Sequence, residues 1–400
     1  MKGEPLRVLL AYCLFGAIAC DQGGCALTPR DFTTGSGLAA ARLPDRAITG
    51  YLSGVPWAMK EFIFFTYASW KYLTEGYPGR LDLVIAGIPD AAGWMGQLCN
   101  VVQPSDDPNS LRREPSDCYF HPFADKAAEH YGYHGINQFA FILDKRISKW
   151  LRHYNYIIKT DLDVFFLPGF VDYVPRTTSG VSFGVQYYVL IPETASRIKN
   201  VSRSFGYIHQ NVHNVGMCFT GTLKQQKQVA RKTIDVLKYI LLNTFPQLAS
   251  GGPSVSYKDG WPNWNVYLSV MYAQEVVVNH LFANLTLDKR FDAHTDLDTP
   301  TADLLHLHTQ HGASRFDKRS FLIDFYADVQ LHKLNVSISR DCATYIAVSS
   351  YRVSNPRWQR DAAVGSVQKE GAHEAEYQYP DYSNRLKRHS MLHKDTDRDR

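Results

Sequence analysis

Between residues 45 and 330 short apolar runs alternate with longer amphipathic ones, and this alternation constrains the fold more than any other feature of the chain. Residues 81–88 read as an apolar strand, interrupted only by Asp82 and stopped by Pro89, and 156–159, apolar up to Lys159, read as another. A strand with no polar alternation is covered on both faces, as in the parallel sheets of α/β proteins. Residues 47–52, 181–189, 215–220 and 304–308 supply further strands. Residues 57–73, 137–153, 224–242 and 263–281 read as helices; in the second, Phe139, Ile142, Leu143, Ile147, Trp150 and Leu151 share one side. Strand–helix–strand order of this kind predicts a single three-layer αβα domain with a mostly parallel mixed sheet.

The ends read differently. Lys2 and Arg7 precede an apolar run from Val8 to Ala19, with Ala17 and Ala19 at the spacing a signal peptidase accepts. Twelve apolar residues are too few to span a bilayer comfortably. Residues 1–19 are therefore read as a signal peptide or a short signal anchor, with no other transmembrane span, and 20–44 as a linker punctuated by Gly, Thr and Pro. Residues 45–350 form the α/β domain. The last stretch, 351–400, holds only five Leu, Ile, Val or Phe residues among many charges, too few to offset the entropy of ordering, and is read as a disordered tail. Beyond the apolar leader stand Cys20, Cys25, Cys99, Cys118, Cys218 and Cys342, an even number suited to an oxidising lumen. Cys99 and Cys118 flank a polar, Pro-containing loop and are the preferred bridge. With sequons at Asn200, Asn284 and Asn335, these features place the chain in the secretory pathway (ER or Golgi lumen) or outside the cell. A net charge of +4 leaves no electrostatic footprint for nucleic acid. The 13% aromatic content fits a sugar-lined cleft or a large core equally well.

The chemistry concentrates in the segment from Tyr156 to Pro168, where an apolar strand runs into Asp161-Leu-Asp163. In an open α/β sheet the carboxyl edge of the strands is where ligands bind. Two carboxylates there need a cation between them, and hard oxygen ligands suit Mg²⁺ or Mn²⁺, which also bind diphosphate oxygens. This segment resembles the D-x-D region of GT-A glycosyltransferases, which transfer a sugar from a nucleotide-diphosphate donor. The blocks Glu61 to Trp70, Gly260-Trp-Pro-Asn-Trp-Asn265, Met271 to Glu275, and Asn279-His280 resemble a poorly characterised eukaryotic family of the nucleotide-diphospho-sugar transferase superfamily.

The resemblance implies a GT-A-like fold and a Mn²⁺ or Mg²⁺ ion bridging the donor diphosphate to Asp161 and Asp163, the catalytic pair, with Asp163 the more direct ligand. It implies a late histidine completing the metal shell, in Leu304-Leu-His-Leu-His-Thr-Gln-His-Gly312. His306 and His308 share a strand face by the period of two; His306 matches the family position and His308 is the reserve. On the donor side it brings in Lys159, Asn214, Gly216 and Lys318, with His311 spaced more loosely than the family pattern. Trp261 and Trp264 read either as an acceptor-sugar platform or as core. An inverting transferase also needs a carboxylate base, for which Asp259, Glu275 and Asp292 are available; a retaining one does not. The implied partners are a nucleotide sugar and a glycan or glycoprotein acceptor, without nucleic acid. The rival readings are a metal-dependent phosphoester or sugar-phosphate hydrolase and a non-catalytic secreted carbohydrate-binding protein.

Overall fold

Chain segments rich in β-branched and aromatic residues, buried on both faces, build the centre of the molecule. In the computed structural model, residues 44–354 are described apart from 76, 78, 112–115, 176, 178–179, 246–263, 296–297, 310–315, 323–325 and 327. The leader, the linker before residue 44, the tail beyond 354, and Asp259, Trp261, His311 and Gly312 lie outside the described residues. Strands β1 (Arg46–Leu52), β2 (Leu81–Gly87), β3 (Asn100–Val101), β4 (Cys118–Pro122), β5 (Tyr156–Lys159), β6 (Val164–Phe166), β7 (Ser182–Val185) and β8 (Val215–Gly221) follow in sequence. All but β6 join one seven-stranded sheet, ordered β3-β4-β2-β1-β5-β8-β7. β3, β4, β2, β1 and β5 pair in parallel, while β8 runs antiparallel to both β5 and β7. The sheet is mixed and mostly parallel, with helices on both faces.

Alternation along the strands divides the core. Ala47, Val84 and Ile157 face one way, against Phe139, Ile147, Val236 and Val277. Ile48, Leu83 and Ile158 face the other, against Phe62, Trp70, Leu73 and Met95. The first layer contains the helices Asn137–Leu143, Lys145–Leu151, Leu223–Thr244 and Ser269–Leu281. The opposite layer is led by a helix opened by a proline, in three segments: Pro56–Glu61, a π-helical Phe62–Tyr67, and Ala68–Thr74. Arg46, at the start of β1, is almost wholly buried. Its guanidinium donates to the carbonyls of Val171 and Tyr173 (2.8 Å to the latter) and to the Tyr77 hydroxyl at 2.6 Å, tying the segment after β6 to the sheet.

Some boundaries differ from those expected. The helix expected over 137–153 is broken at Asp144, whose backbone is extended (ψ 133°) and whose carboxylate accepts from the Arg146 N–H at 2.8 Å, capping a second helix. The strand expected over 181–189 shortens to Ser182–Val185, because Asn214 takes the backbone N–H groups of Tyr188 and Val189 away from the ladder at 3.0 and 2.8 Å. β4 and the helices Pro192–Ser204 and Ser339–Ser354 were not anticipated, and the last runs past residue 350. Cys99 and Cys118 form the expected disulfide.

The chain groups into two compact units. One holds the sheet and its helices, through Ala293 and again over Ala302–His308. The other, formed by the described residues of 294–301 and 309–354, packs Phe316 on Tyr326 (centroids 5.5 Å apart) and Phe321 on Tyr351 (5.7 Å). Among the described residues no helix is long and apolar enough to cross a membrane.

Candidate active site

β5 leaves the carboxyl edge of the sheet through Thr160-Asp-Leu-Asp163. This turn crosses β1 where a side chain has no room: a Cβ on Gly50 would lie 2.6 Å from Leu162 Cδ2 and 2.8 Å from the Thr160 carbonyl oxygen. The chain then forms β6, which pairs antiparallel with the strand His306–His308, setting His308 opposite Val164 and His306 opposite Phe166. That register brings His308 Nε2 to 3.4 Å from Asp163 Oδ1 and 3.7 Å from Asp161 Oδ2. One ligand atom from each of the three residues lies within 4.8 Å of the others.

The two histidines are placed differently from the expected order: His308, not His306, lies beside the aspartates. His306 is completely buried. Its Nδ1 accepts from the Asp292 N–H at 3.0 Å, so its proton sits on Nε2, which donates to Thr160 Oγ1 at 2.9 Å. Both ring nitrogens are used, and burial pushes the imidazole down to about 3, so it stays neutral. His306 braces the turn from behind, with both ring nitrogens engaged by the protein. His308 is the imidazole beside the aspartates. Burial pulls its pKa down, but the Asp163 and Asp161 carboxylates outweigh that and hold it up at about 9, as a cation against the paired acids. The Gln186 side-chain nitrogen is 3.5 Å from His308 Nδ1.

The remaining expected residues separate. Lys159 is fully buried on the face covered by the helix Asn137–Leu143, its Nζ 4.7 Å from the Phe139 ring centre and 3.5 Å from the Met217 carbonyl. Asn214 adopts the left-handed conformation (φ 65°) and spends its side-chain oxygen on Tyr188 and Val189. Gly216 does permit a close approach, but of Asp292: a Cβ on Gly216, or on Gly184 across the β7–β8 pair, would overlap the Asp292 carboxylate. Lys318 is buried at the start of a short helix in the other compact unit. Trp264 is core, stacked on Tyr272 at 4.2 Å with its indole N–H on Thr244. Of the candidate bases, Glu275 is wholly buried among hydrogen-bond donors, and Asp292 is buried, its carboxyl raised by burial to about 7. The Gly184–Gly216 slot and Gln186 escaped the sequence reading, because only strand pairing brings those positions together.

Comparison with known proteins adds the following. No curated protein matches the chain. Among solved structures, the apo form of mouse xyloside xylosyltransferase 1 is similar at a TM-score of 0.31 and 11% identity, over 63% of this chain and 87% of that one. The family described as Domain of unknown function (DUF7164) matches residues 46–374, most of the chain, and the protein belongs to that family.

Proposed function

We infer that the protein is a metal-dependent glycosyltransferase, moving a sugar from a nucleotide-diphosphate donor to a hydroxyl of a glycan, glycoprotein or other acceptor. The observation that carries this reading is the convergence of Asp161, Asp163 and His308 at the carboxyl edge of a mostly parallel sheet. Two carboxylates and an imidazole are a donor set that fits Mn²⁺ or Mg²⁺. Bound there, such an ion supplies positive charge to a diphosphate leaving group. The chain's own contribution is positional. Gly50 admits the turn, Thr160 is fixed by His306, and Asp161 and Asp163 hold their oxygens toward the same point as His308. A secretory or extracellular setting is part of the proposal, supported by the Cys99–Cys118 bridge and by the exposure of all three sequon asparagines, Asn200, Asn284 and Asn335.

The test is a panel of nucleoside diphosphates and nucleotide sugars with Mn²⁺, read as thermal shift and as nucleotide release. A metal-dependent shift with at least one nucleotide, lost in Asp163→Ala, is the expected result. Absence of any metal-dependent shift across the panel removes the donor-site assignment. Phosphate release from simple esters moves the reading to a hydrolase, and glycan binding without donor turnover moves it to a binding protein.

A further inference from the structure

The segment leading into β8 carries a second group of metal-type side chains that the site above does not use. His209, His213 and Glu275 each offer one ligand atom, and the three atoms lie within 4.8 Å of one another. Both histidines come from the turn before β8, and Glu275 from the helix Ser269–Leu281. Asn211 and Asn214 take left-handed backbone conformations (φ 66° and 65°), a region asparagine tolerates better than most residues. The turn between them folds both imidazoles onto one carboxylate.

That carboxylate is completely buried, and its two oxygens have different tasks. Oε2 is fixed by the Tyr188 hydroxyl at 2.7 Å and the Asn214 N–H at 2.8 Å. Oε1 faces the imidazoles, 2.6 Å from His213 Nδ1 and 3.6 Å from His209 Nε2. Burial pushes the Glu275 carboxyl upward, but the imidazoles and hydroxyl around it outweigh this and hold it below the ordinary range, so it is ionised. The His209 side chain is only 4% exposed, and its Nε2, 3.6 Å from Oε1, is too far for a well-formed hydrogen bond. Buried polar atoms of this kind are costly unless something satisfies them.

We propose that His209, His213 and Glu275 form a second divalent-metal site, separate from the aspartate site and selective for zinc. Two imidazole nitrogens and one carboxylate oxygen make a softer, less charged donor set than Asp161, Asp163 and His308, and such sets suit Zn²⁺ or Co²⁺ over Mg²⁺. Three protein ligands leave one coordination position open. The His213 side chain, 20% exposed, gives the ion its route from solvent. Proton bookkeeping closes. Asn211 N–H now donates to His209 Nδ1 at 3.1 Å, so that ring carries its proton on Nε2, and His213 carries its own on Nδ1 toward Glu275. On binding, each ring offers the ion the nitrogen that now faces Glu275, its remaining proton sits on the other nitrogen, and the Asn211 amide gives up its contact. Glu275 stays a carboxylate, oriented by Tyr188 and Asn214 as outer partners orient metal ligands.

The experiment uses the full chain after chelator treatment, titrated with Zn²⁺ by calorimetry and with Co²⁺ by visible absorption. It is run in an Asp163→Ala background, so the aspartate site neither contributes nor decides the outcome. Asp163→Ala is expected to bind one equivalent of Zn²⁺ and to develop a Co²⁺ ligand-field band. Adding Glu275→Gln or His213→Ala is expected to weaken Zn²⁺ by more than about 100-fold and to abolish the band. His213 is partly exposed, so its variant retains cooperative thermal unfolding even where the buried Glu275 substitution does not. No Zn²⁺ binding in the Asp163→Ala background, or binding unchanged by His213→Ala, overturns the proposal and leaves a hydrogen-bonded carboxylate cluster. Because the probe is the metal alone, failure here is separable from failure of the glycosyltransferase reading.

Discussion

Replacing His308 by alanine removes an imidazole lying 3.4 Å from Asp163, whereas replacing His306 strips Thr160 and the Asp292 amide of their buried partner. His308→Ala is accordingly expected to weaken Mn²⁺ binding at least about tenfold and, without metal, to lower the unfolding midpoint at neutral pH, because Asp161 and Asp163 lose their counter-charge. His306→Ala is expected to cost about 2–4 kcal/mol in denaturant unfolding, the combined effect of a cavity and two orphaned polar groups. The reverse pattern, metal binding lost without destabilisation in His306→Ala, would restore His306 as the ligand. Gly216→Ala forces a methyl group against the Asp292 carboxylate and the Gly184 backbone, and about 1–3 kcal/mol of destabilisation is expected by the same measurement. A loss under about 0.5 kcal/mol would mean that the slot is looser than described. At this scale the aspartates were legible in the sequence because an apolar strand ending in paired acids is a local pattern. The choice between the histidines was not. It depends on pairing with Phe166 and Val164 and on Thr160 and Asp292, none of which adjoins residues 306–308 in the chain.

Helix Leu223–Thr244 begins with a capping box in which Thr222 and Gln225 satisfy each other's backbone and side chain. Thr222→Ala is expected to cost about 1 kcal/mol in equilibrium unfolding, with Thr222→Ser close to wild type. Equal losses in the two variants would show that the hydroxyl does not act as the cap. This helix and strands β1, β2, β5 and β8 were readable because their burial is periodic or continuous along the chain. β4 was hidden: it follows a stretch punctuated by Pro104, Pro108 and Pro115, and its pairing with β2 and β3 is non-local. Helix Pro192–Ser204 was missed for a different reason, since its buried face holds only two large apolar side chains, Ile198 and Val201, beside Thr194 and Ser202. The break at Asp144 illustrates a third cause: one polar residue with good capping geometry overrides an apolar pattern that runs unbroken across it.

For the molecule as a whole, acid is the informative perturbation. His121 is 4% exposed, and burial pushes it down to about 4. Between about pH 6.5 and 4 the unfolded chain binds a proton there that the folded chain refuses, so stability falls as pH is lowered through that window. The contribution is at most about 3 kcal/mol. Unfolding free energies measured from pH 7 to 4 are expected to fall less steeply in His121→Phe than in wild type; identical slopes would show that His121 titrates normally. A last consequence concerns biosynthesis and follows from the pairing of Thr160 with His306 across 146 residues. A ribosome delivers Asp161 and Asp163 long before the histidines that hold and balance them. Until residue 306 has been made the two acids therefore lack these partners, and a nascent chain halted before it carries both acids without either imidazole. On the proposed metal role, the ligand set of Asp161, Asp163 and His308 exists only once residue 308 has been made, so an ion held by all three cannot guide the folding of the segments before it.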